Sequence, residues 1–535
     1  MLYRDLHMEI QDGEKVGLVG RNGTGKTTLL HIMTGEDKDY DGSVRLKKGA
    51  IMIGSRQEHH GYDEKTVLEY VLDDLPEYPK LKHILDTYPE HMGDSNHKMH
   101  VYNEALERFT QLGYFEVESE IIQALSDYQI DEGKAAGLLK ELSGGQKRLV
   151  ELVKVQRARA HIALIDEPTN HMDYVAKQSF IKWFKSAREA IVVITHDRDV
   201  LQAVDRIIEV KDEQTVSFPG NYDDYLRINA VKTVSQVNEH TVTQRRIANL
   251  KENIIRFRRL KERANDPGTI HRFKSQEMQA KEELVRLEAI DAPSFWIDRE
   301  SVGELNAKMG AAYKEHKARN IKVRTKTADD ATGRLLIELS KVSLGYSAPL
   351  FEDLSLQLRE GDRLRLHGRN GAGKSTLLNA VVAKSQEVEP SAKLFGGTIA
   401  VEKGIKIGIY EQEIAESYLS LTLSEAIERA YMAKDVPVGE SLVKQLLSDY
   451  LFNPATDGDV PISRLSGGQK ARFQLINMLA GHPQVLILDE PTNHLDLPSI
   501  EELEDALAHY NGAIIYISHD SYFARHLGGD TITIA

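Results

Sequence analysis

The stretch GLVGRNGTGKTTLL, from Gly17 to Leu30, returns later in the chain as RLHGRNGAGKSTLL, from Arg365 to Leu378. Both copies have the form GxxxxGK followed by Thr or Ser, the pattern of a phosphate-binding loop between a strand and a helix. Glycines let the backbone N–H groups of such a loop face phosphate oxygens, and the following helix directs its positive end to the same point. The repeat therefore predicts two phosphate-binding sites in an α/β fold.

Three further motifs repeat in the same order after each loop. They are LSGGQ, an apolar run that ends in DEPTNH, and a second apolar run that ends in His-Asp. The serine of LSGGQ precedes the first aspartate of DEPTNH by 23 residues in both copies, and that aspartate precedes the histidine by 30 residues in both. Two intervals kept in register indicate a tandem duplication.

Both loops contain the residue types that the phosphates of ATP require. Lys26 and Lys374 are expected to reach the β- and γ-phosphates, and the hydroxyls of Thr27 and Ser375 are expected to bind Mg²⁺. The residues predicted to bind ATP in the loops are Gly20, Asn22, Gly23, Gly25, Lys26, Thr27 and Thr28, and Gly368, Asn370, Gly371, Gly373, Lys374, Ser375 and Thr376.

The runs IALIDE and VLILDE are typical of buried parallel strands, whose carboxyl ends bind ligands in α/β sheets. Asp166 and Asp489 can hold Mg²⁺ through water, and Glu167 and Glu490 can polarise the attacking water. The predicted catalytic residues are Glu167, Glu490, His196 and His519, with the histidines placed to contact the γ-phosphate. For either histidine alone, capping of a strand end would be the simpler interpretation.

The order of these motifs resembles that of the ATP-binding cassette (ABC) ATPases. In that family the LSGGQ turn of one domain closes over ATP held by the other, so the resemblance implies a head-to-tail pair within one chain. It implies that Lys26 pairs with Ser466 and Lys374 with Ser143. The further ATP-binding residues that it implies are Gln57, Ser143, Gly144, Gly145, Gln412, Ser466, Gly467 and Gly468. The expected Mg²⁺ residues are Thr27, Gln57, Asp166, Ser375, Gln412 and Asp489.

The two copies differ at their beginnings. The second has a lead-in, LLIELSKVSLGYSAPLFEDL, whose Tyr346 is placed to stack on adenine as the family's aromatic residue does. The first begins MLYRDL, which aligns with PLFEDL, and has no counterpart of the lead-in. Either the chain is truncated or its start is misplaced, or the first site lacks adenine stacking. Truncation is the favoured interpretation.

The segment between the copies is basic within an acidic chain. The net charge is −14, yet residues 226–290 hold fourteen Lys or Arg against eight Asp or Glu. Residues 226–264 lack Pro and Gly, which predicts a long helix, while NDPG at 265–268 predicts a turn and residues 269–290 predict a returning helix. The predicted apolar seam comprises Ile247, Leu250, Ile254, Phe257 and Leu260.

Basic residues lie near this turn and suggest a polyphosphate partner, although a solvated coiled-coil face is the alternative interpretation. The candidate RNA-contacting residues are Arg256, Arg258, Arg259, Lys261, Arg263, Arg272 and Lys274.

The predicted fold class is α/β, with two tandem phosphate-loop ABC ATPase domains joined by a long α-helical hairpin. The expected boundaries are 1–225, 226–333 and 334–535 for the chain of 535 residues. About 32 extra residues in the first copy predict an arm-like helical hairpin near residues 70–118, with a surface loop as the alternative. No cysteine is present, and no apolar run approaches the roughly 18 residues of a membrane span.

Asn-His within both DEPTNH motifs, and FPGNYDDYL before the long helix, resemble the ABC-F branch of the family. The resemblance implies a cytoplasmic, monomeric ATPase that uses ATP and Mg²⁺ and binds the ribosome, with neither membrane nor DNA as partner. Its linker would contact rRNA and tRNA near the tRNA exit site and the peptidyl-transferase centre. A housekeeping translation factor and an antibiotic-resistance protein remain alternatives within the branch. The ATPase subunit of a transporter and a DNA-associated ATPase are the alternatives outside it.

Overall fold

The computed structural model describes the chain except residues 1–2, 5, 57–60, 63, 92–95, 171, 212, 264–265, 289–332, 411–413, 451, 466, 494 and 535. The chain divides into two units. One unit comprises residues 1–222 and 321–535, and the other comprises residues 223–320. The first unit holds both copies of the repeat, called here the first copy (up to residue 219) and the second copy (from residue 335).

The first copy is built on a six-stranded sheet in the order β2-β3-β4-β1-β5-β6. Its strands are β1 (Lys15–Gly20), β2 (Met52–Gly54), β3 (Ile162–Asp166), β4 (Ala190–Ile194), β5 (Arg206–Lys211) and β6 (Gln214–Pro219). Only β6 pairs antiparallel among them. Every residue of β1 and β4 is buried, as expected for apolar strands that helices cover on both faces.

Nine α-helices accompany this sheet in the described part of the first copy. They are α1 (Lys26–Thr34), α2 (Val67–Asp73), α3 (Tyr78–His91), α4 (Asn96–Gln111), α5 (Val117–Asp127), α6 (Glu132–Ala136), α7 (Gly144–Arg157), α8 (Tyr174–Ser186) and α9 (Arg198–Leu201), with a 3₁₀ turn at Leu139–Glu141. α3 and α4 lie where the extra residues of the first copy predicted a helical hairpin. Tyr78, Phe109 and Tyr114 pack their rings together at its base, with centroids 5.3–5.7 Å apart.

The second copy has a five-stranded parallel sheet in the order β11-β12-β13-β9-β14 and a three-stranded antiparallel sheet in the order β10-β7-β8. The strands are β7 (Leu335–Gly345), β8 (Pro349–Arg359), β9 (Arg363–His367), β10 (Lys393–Val401), β11 (Ile407–Tyr410), β12 (Val485–Asp489), β13 (Ala513–Ile517) and β14 (Asp530–Thr533). The predicted lead-in supplies β7, the central strand of the antiparallel sheet. In the first copy, the described residues before β1 and those from 35 to 51 contain no strand.

The helices of the second copy follow the same plan with a shorter helical region. They are α12 (Lys374–Ser385), α13 (Glu416–Leu419), α14 (Leu423–Met432), α15 (Glu440–Asp449), α16 (Gly467–Leu479), α17 (Leu497–Ala508) and α18 (Ser521–Leu527), with a 3₁₀ turn at Ile462–Arg464. In both copies a P-loop follows an inner strand of the sheet, β1 or β9, so each P-loop lies at the carboxyl edge of its sheet.

The second unit is dominated by two antiparallel helices, called here the linker hairpin. They are α10 (Tyr222–Arg263) and α11 (Pro267–Glu288). Arg246 donates to Glu283 at 2.9 Å between the helices. Ile247 and Leu250 of the predicted seam are buried, while Ile254, Phe257 and Leu260 are half-buried.

The predicted turn at 265–268 requires a correction. The second helix already begins at Pro267, so Pro267 and Gly268 belong to its first turn. Proline suits the first helical position because its missing N–H has no acceptor there, and Asp266 accepts hydrogen bonds from Thr269 N and Oγ1 at 2.8 Å. The predicted linker limits, 226 and 333, stay predictions, and so do the limits of the arm.

No helix of the described residues combines the length and apolar character needed to cross a bilayer.

Candidate active site

The lysine of each P-loop is hydrogen-bonded to the backbone of its own loop. Gly25 and Gly373, which precede the loop helices, have φ angles of 89° and 93°, a left-handed conformation that favours glycine. Lys26 Nζ donates to two carbonyl oxygens of its own loop at 2.7 and 3.0 Å. Lys374 Nζ does the same at 2.9 and 2.8 Å. Two equivalent cations therefore lie inside two equivalent loops.

The hydroxyl and the carboxylate expected to bind Mg²⁺ meet in both copies. Thr27 Oγ1 donates to Asp166 Oδ2 at 2.7 Å, and Ser375 Oγ donates to Asp489 Oδ2 at 2.6 Å. The described residues contain no group of three or more His, Cys, Asp or Glu that could hold a metal ion. A hydroxyl and one carboxylate fit Mg²⁺ in a phosphate site, because that ion takes its remaining ligands from water and substrate phosphates.

The glutamates that follow these aspartates have strained backbones. Glu167 and Glu490 have φ angles of 45° and 46°, a region that non-glycine residues rarely adopt and that is frequent at functional sites. Burial, with the neighbouring Asp166, raises the pKa of Glu167 to about 8. Burial also raises the pKa of Glu490 to about 7. The sequence alone gave no sign of this backbone conformation.

The histidines reach the glutamates of their own copies. His196 Nε2 lies 3.5 Å from Glu167 Oε1, and His519 Nε2 lies 3.2 Å from Glu490 Oε1. Burial, together with the lysine of the P-loop, lowers the pKa of both imidazoles. Nδ1 of both rings is buried with no hydrogen-bond partner among the described residues. A neutral ring with an unused polar atom is suited to contact a substrate.

One cavity of about 1040 Å³ joins the two sets of residues. The predicted residues that line it are Asn22, Gly23, Gly25, Lys26, Thr27, Thr28, Asp166, Glu167, His196, Tyr346, Asn370, Gly371, Gly373, Lys374, Ser375, Thr376, Asp489, Glu490 and His519. We call the residues around Lys26 the first site and those around Lys374 the second site. Both sites thus open into one shared cavity.

The remaining predicted residues lie elsewhere. Gly20 and Gly368 accept from the loop lysines but are not among the described residues that line the cavity, nor are Ser143, Gly144 and Gly145. Gly467 and Gly468 begin α16. Gln57, Gln412 and Ser466 lie outside the described residues.

The LSGGQ turn of the first copy has the form of a helix start. Ser143 Oγ accepts from Gln146 N at 3.3 Å, and Gln146 Oε1 accepts from Ser143 N at 3.1 Å. This reciprocal capping box places exposed Ser143 and Gly144 at the positive end of α7. The pairing of Lys374 with Ser143 stays a prediction, as does that of Lys26 with Ser466.

Two aspartates outside the predicted set of site residues connect the copies. Asp496 Oδ2 accepts from Asn22 N at 3.1 Å, and Asp173 Oδ2 accepts from Asn370 N at 3.2 Å. Each is the last residue of DEPTNHxD and also caps the helix that follows it. Aspartate just before a helical pattern is a capping signal, but its second partner lies hundreds of residues away. Each P-loop therefore contacts the opposite copy.

The adenine side differs between the copies. Tyr346 lines the cavity with 59% of its surface exposed, so its ring is open to a ligand. In the first copy Tyr3 packs against the sheet core, as Phe351 does in the second, in agreement with the alignment of MLYRDL and PLFEDL. The stacking role of Tyr346 stays a prediction.

A family model described as ABC transporter matches residues 3–170 and 351–493, and a second with the same description matches 208–302. The Escherichia coli K12 probable ATP-binding protein YheS is 30% identical over 527 residues, covering 97% of this chain and 74% of that protein. The Arabidopsis thaliana ABC transporter F family member 2 is 27% identical and covers 99% of this chain and 74% of its own length.

The chain belongs to the ABC-F subfamily of ATP-binding cassette ATPases.

The Bacillus subtilis ribosome protection protein VmlR is 27% identical to this ABC-F protein, over 100% of the chain and 84% of VmlR. Among solved structures, the archaeal ribosome recycling factor aABCE1, in complex with stalk protein aP1, has a TM-score of 0.57. It covers 99% of this chain and 84% of its own at 16% identity, which establishes the fold of tandem cassettes alone.

The linker hairpin of this ABC-F protein presents basic side chains near its turn. Arg256, Arg258, Arg259, Arg272 and Lys274 are exposed. The predicted RNA-contacting residues also include Lys261, whose Nζ donates to Glu277 at 2.6 Å within the hairpin, and Arg263, whose side chain lies outside the described part. RNA contact by any of them stays a prediction.

Proposed function

We propose that this ABC-F protein hydrolyses ATP in two composite sites and uses the cycle to act on the ribosome in the cytoplasm. The linker hairpin would contact rRNA and tRNA near the tRNA exit site and the peptidyl-transferase centre and so modulate translation. A single chain would suffice, because both copies contribute to one cavity. The observation that carries the proposal is the reciprocal contact of Asn22 with Asp496 and of Asn370 with Asp173, which joins two complete sets of hydrolytic residues.

In this proposal each site divides the work of phosphoryl transfer among its own residues. Lys26 and Lys374 balance phosphate charge, while Glu167 and Glu490 orient the attacking water and accept its proton. The unused Nδ1 atoms of the histidines are available to the γ-phosphate. Bound Mg²⁺, held at Thr27 with Asp166 or at the equivalent pair of the second copy, would neutralise charge on the phosphates.

The ribosomal part of the proposal is supported by two independent observations. VmlR, named for ribosome protection, is similar over the whole chain. Exposed arginines on both helices of the hairpin, such as Arg258 and Arg272, suit the phosphates of RNA because guanidinium binds phosphate oxygens in pairs. In a chain of net charge −14, such a concentration of cations at one turn favours an RNA partner.

Sedimentation of ribosomes tests the proposal. The Glu167→Gln, Glu490→Gln double variant should bind ATP without hydrolysing it and should therefore remain in the ribosome pellet with ATP. The same variant without nucleotide, and with Lys26→Ala and Lys374→Ala added, provides the controls. Recovery of the double variant only in the supernatant with ATP present would overturn the ribosomal proposal.

Charge reversal tests the role of the hairpin separately. Arg258→Glu, Arg259→Glu and Arg272→Glu together should abolish pelleting and leave the basal ATPase rate within about twofold, because these side chains are remote in sequence from both sites. A matched control reverses three exposed cations of the first copy, Lys182, Lys185 and Arg188. If the hairpin variant pellets like its parent, the hairpin does not hold the protein on RNA.

Protection against antibiotics is the narrower form of the proposal, and the likeness to VmlR favours it. Expression of the chain in a sensitive bacterium should then raise the inhibitory concentration of ribosome-targeting drugs, and the Glu double variant should not. Unchanged inhibitory concentrations would confine the function to translation itself.

The ATPase subunit of a transporter is the second candidate, favoured by the description of the matching family models. It predicts that the chain co-purifies with an integral membrane protein and leaves ribosomes free. Fractionation of a lysate into membranes and ribosomes separates the two functions, because each predicts recovery in one fraction.

A further inference from the structure

Lys177 on α8 is a buried cation that the hydrolytic motifs do not include. Only 5% of its surface is exposed. Its Nζ contacts three acceptors: Asp199 Oδ2 at 2.5 Å, Asp197 Oδ2 at 2.8 Å and the carbonyl oxygen of His519 at 3.1 Å. An ammonium group has three N–H bonds, so this environment uses the donor capacity of the side chain in full.

The third acceptor belongs to the opposite copy and to the second site. His519 N donates to Glu490 Oε2 at 3.2 Å, and His519 Nε2 lies 3.2 Å from Glu490 Oε1. His519 therefore accepts a hydrogen bond from Lys177 at its carbonyl oxygen and orients Glu490 through its backbone N–H group. A side chain of the first copy is connected through one residue to the reacting centre of the second site.

Lys177 keeps its charge in this environment. Burial alone would lower its pKa, but Asp197, Asp199 and Asp520 hold the pKa above its ordinary value. Ser521 Oγ donates to Asp199 Oδ1 at 2.5 Å, so the carboxylates around the ammonium are themselves connected to the second copy. The network forms only where the two copies meet.

The first site lacks this arrangement. The residue at the position equivalent to Lys177 is Ile500, which also lines the shared cavity and is 2% exposed. An alkyl side chain cannot donate a hydrogen bond, so Ile500 gives the carbonyl oxygen of His196 no equivalent contact. Lys177 also reaches the first site, but through the side chain of Asp197, the residue after His196, at 2.8 Å. There Arg198, two residues beyond His196, pairs with Glu504 of the second copy at 2.8 Å, and both side chains are buried.

We propose that Lys177 is a positioning residue for ATP hydrolysis in the second site and acts from the opposite copy. By fixing the carbonyl of His519 it fixes the N–H and ring that orient Glu490, and it does so only when the copies are in contact. The inference rests on the proposed ATPase activity and adds to it a difference between the sites. In the second site the ammonium group holds the backbone of the histidine itself, whereas in the first it pairs with the side chain of the following aspartate.

The test measures each site alone. Glu167→Gln leaves only the second site able to hydrolyse, and Glu490→Gln leaves only the first. Lys177→Met keeps the length of the side chain and removes its charge. In the Glu167→Gln background we expect kcat to fall about 10- to 100-fold with KM for ATP within about twofold, because the lost hydrogen bond acts mainly on the orientation of Glu490.

In the Glu490→Gln background the same substitution should lower kcat by a smaller factor, at most about threefold, because the first site loses a side-chain pair on the residue after His196 and no contact to the histidine itself. The control is Lys182→Met on the same helix, where the side chain is exposed. Equal losses in both backgrounds would make Lys177 an element of the interface alone, and no loss in either would remove its role. Both results overturn the inference.

A spectroscopic measurement separates this inference from the activity itself. In protein carrying ¹³Cε1-labelled histidine, Lys177→Met should shift the His519 signal more than the His196 signal, with assignments from His519→Gln and His196→Gln. An unmoved His519 signal would overturn the inference. If the parent hydrolyses no ATP while His519 shifts, the ATPase proposal fails and the positioning contact stands.

Discussion

Residues Lys393–Val401 of the second copy form an outer strand against the lead-in strand Leu335–Gly345, whereas the matching residues of the first copy, near 38–46, form no strand. Val44 and Leu46 are 41% and 45% exposed, while their counterparts Ile399 and Val401 pack against the sheet core. Both stretches alternate apolar residues, as strands do. The difference shows that such a pattern forms a strand only where a partner strand is present.

On the phosphate side the copies agree closely. The hydroxyl-to-carboxylate distances differ by a tenth of an ångström, and both glutamates share the same strained φ. The contacts around these groups differ, because Lys177 donates to the carbonyl oxygen of His519, whereas Arg198, two residues after His196, pairs with Glu504 of the other copy. Similar reacting groups are thus held by different neighbouring residues in the two copies.

The largest effect is expected at the glutamates. Glu167→Gln with Glu490→Gln should lower turnover about 10²- to 10⁴-fold, because a neutral amide cannot accept the proton of the attacking water. Each single variant should retain the turnover of the other site. Phosphate release measures all three, and complete loss from one single variant would contradict two independent sites.

The next largest effect concerns the buried pair at the first site. Arg198→Met should lower the free energy of unfolding by about 3–5 kcal/mol, because it leaves Glu504 buried without its guanidinium partner. The double variant with Glu504→Met should recover most of that loss, since no uncompensated charge remains. Urea denaturation followed by circular dichroism measures both. A cost below about 1 kcal/mol for Arg198→Met would show that water reaches the pair.

Tyr346→Ala should weaken ATP binding at the second site by about 1–3 kcal/mol, the usual range for a base stacked on an aromatic ring. Tyr346→Phe is the matched control and should bind as the parent does, because it keeps the ring. Titration with a fluorescent ATP analogue measures the change in the presence of Lys26→Ala, which silences the first site. Equal affinities for all three would mean that adenine does not stack there.

The smallest effect is expected near residues 38–46 of the first copy, which form no strand. Leu46→Ser should change the free energy of unfolding by less than about 0.5 kcal/mol, because the side chain is already exposed. Val401→Ser should cost about 1 kcal/mol, because it removes apolar surface from a packed sheet. Thermal unfolding of the two variants measures both changes. Equal losses of unfolding free energy would contradict the difference between the two copies.

The sequence was sufficient for features that local patterns encode. Repeated loops predict both P-loops, and the apolar runs predict strands β3 and β12 with Asp166 and Asp489 at their carboxyl ends. The lack of Pro and Gly predicted the long helix of the linker hairpin. The sequence predicts the start of the second helix too late, because NDPG is a turn pattern in which proline also suits a first helical position.

The sequence does not predict contacts between segments that are distant along the chain. Asp173 and Asp496 were recognisable only as parts of a motif, and nothing local indicates that each binds the opposite P-loop. Lys177 occupies an ordinary helical position, and the carbonyl oxygen that it contacts belongs to His519, 342 residues later. The φ angles of Glu167 and Glu490 likewise follow from tertiary packing, since glutamate has no preference for that conformation.

The number of ATP molecules held by one chain tests most directly whether both copies form working sites in one cavity. The Glu167→Gln, Glu490→Gln variant, equilibrated with excess ATP and Mg²⁺ and freed of unbound nucleotide, should retain two ATP per chain. Adding Lys374→Ala should reduce the number to one. If the double variant without Lys374→Ala retained a single ATP, the account of two working sites would be contradicted. The different surroundings of the first site would then indicate that this site has lost its function.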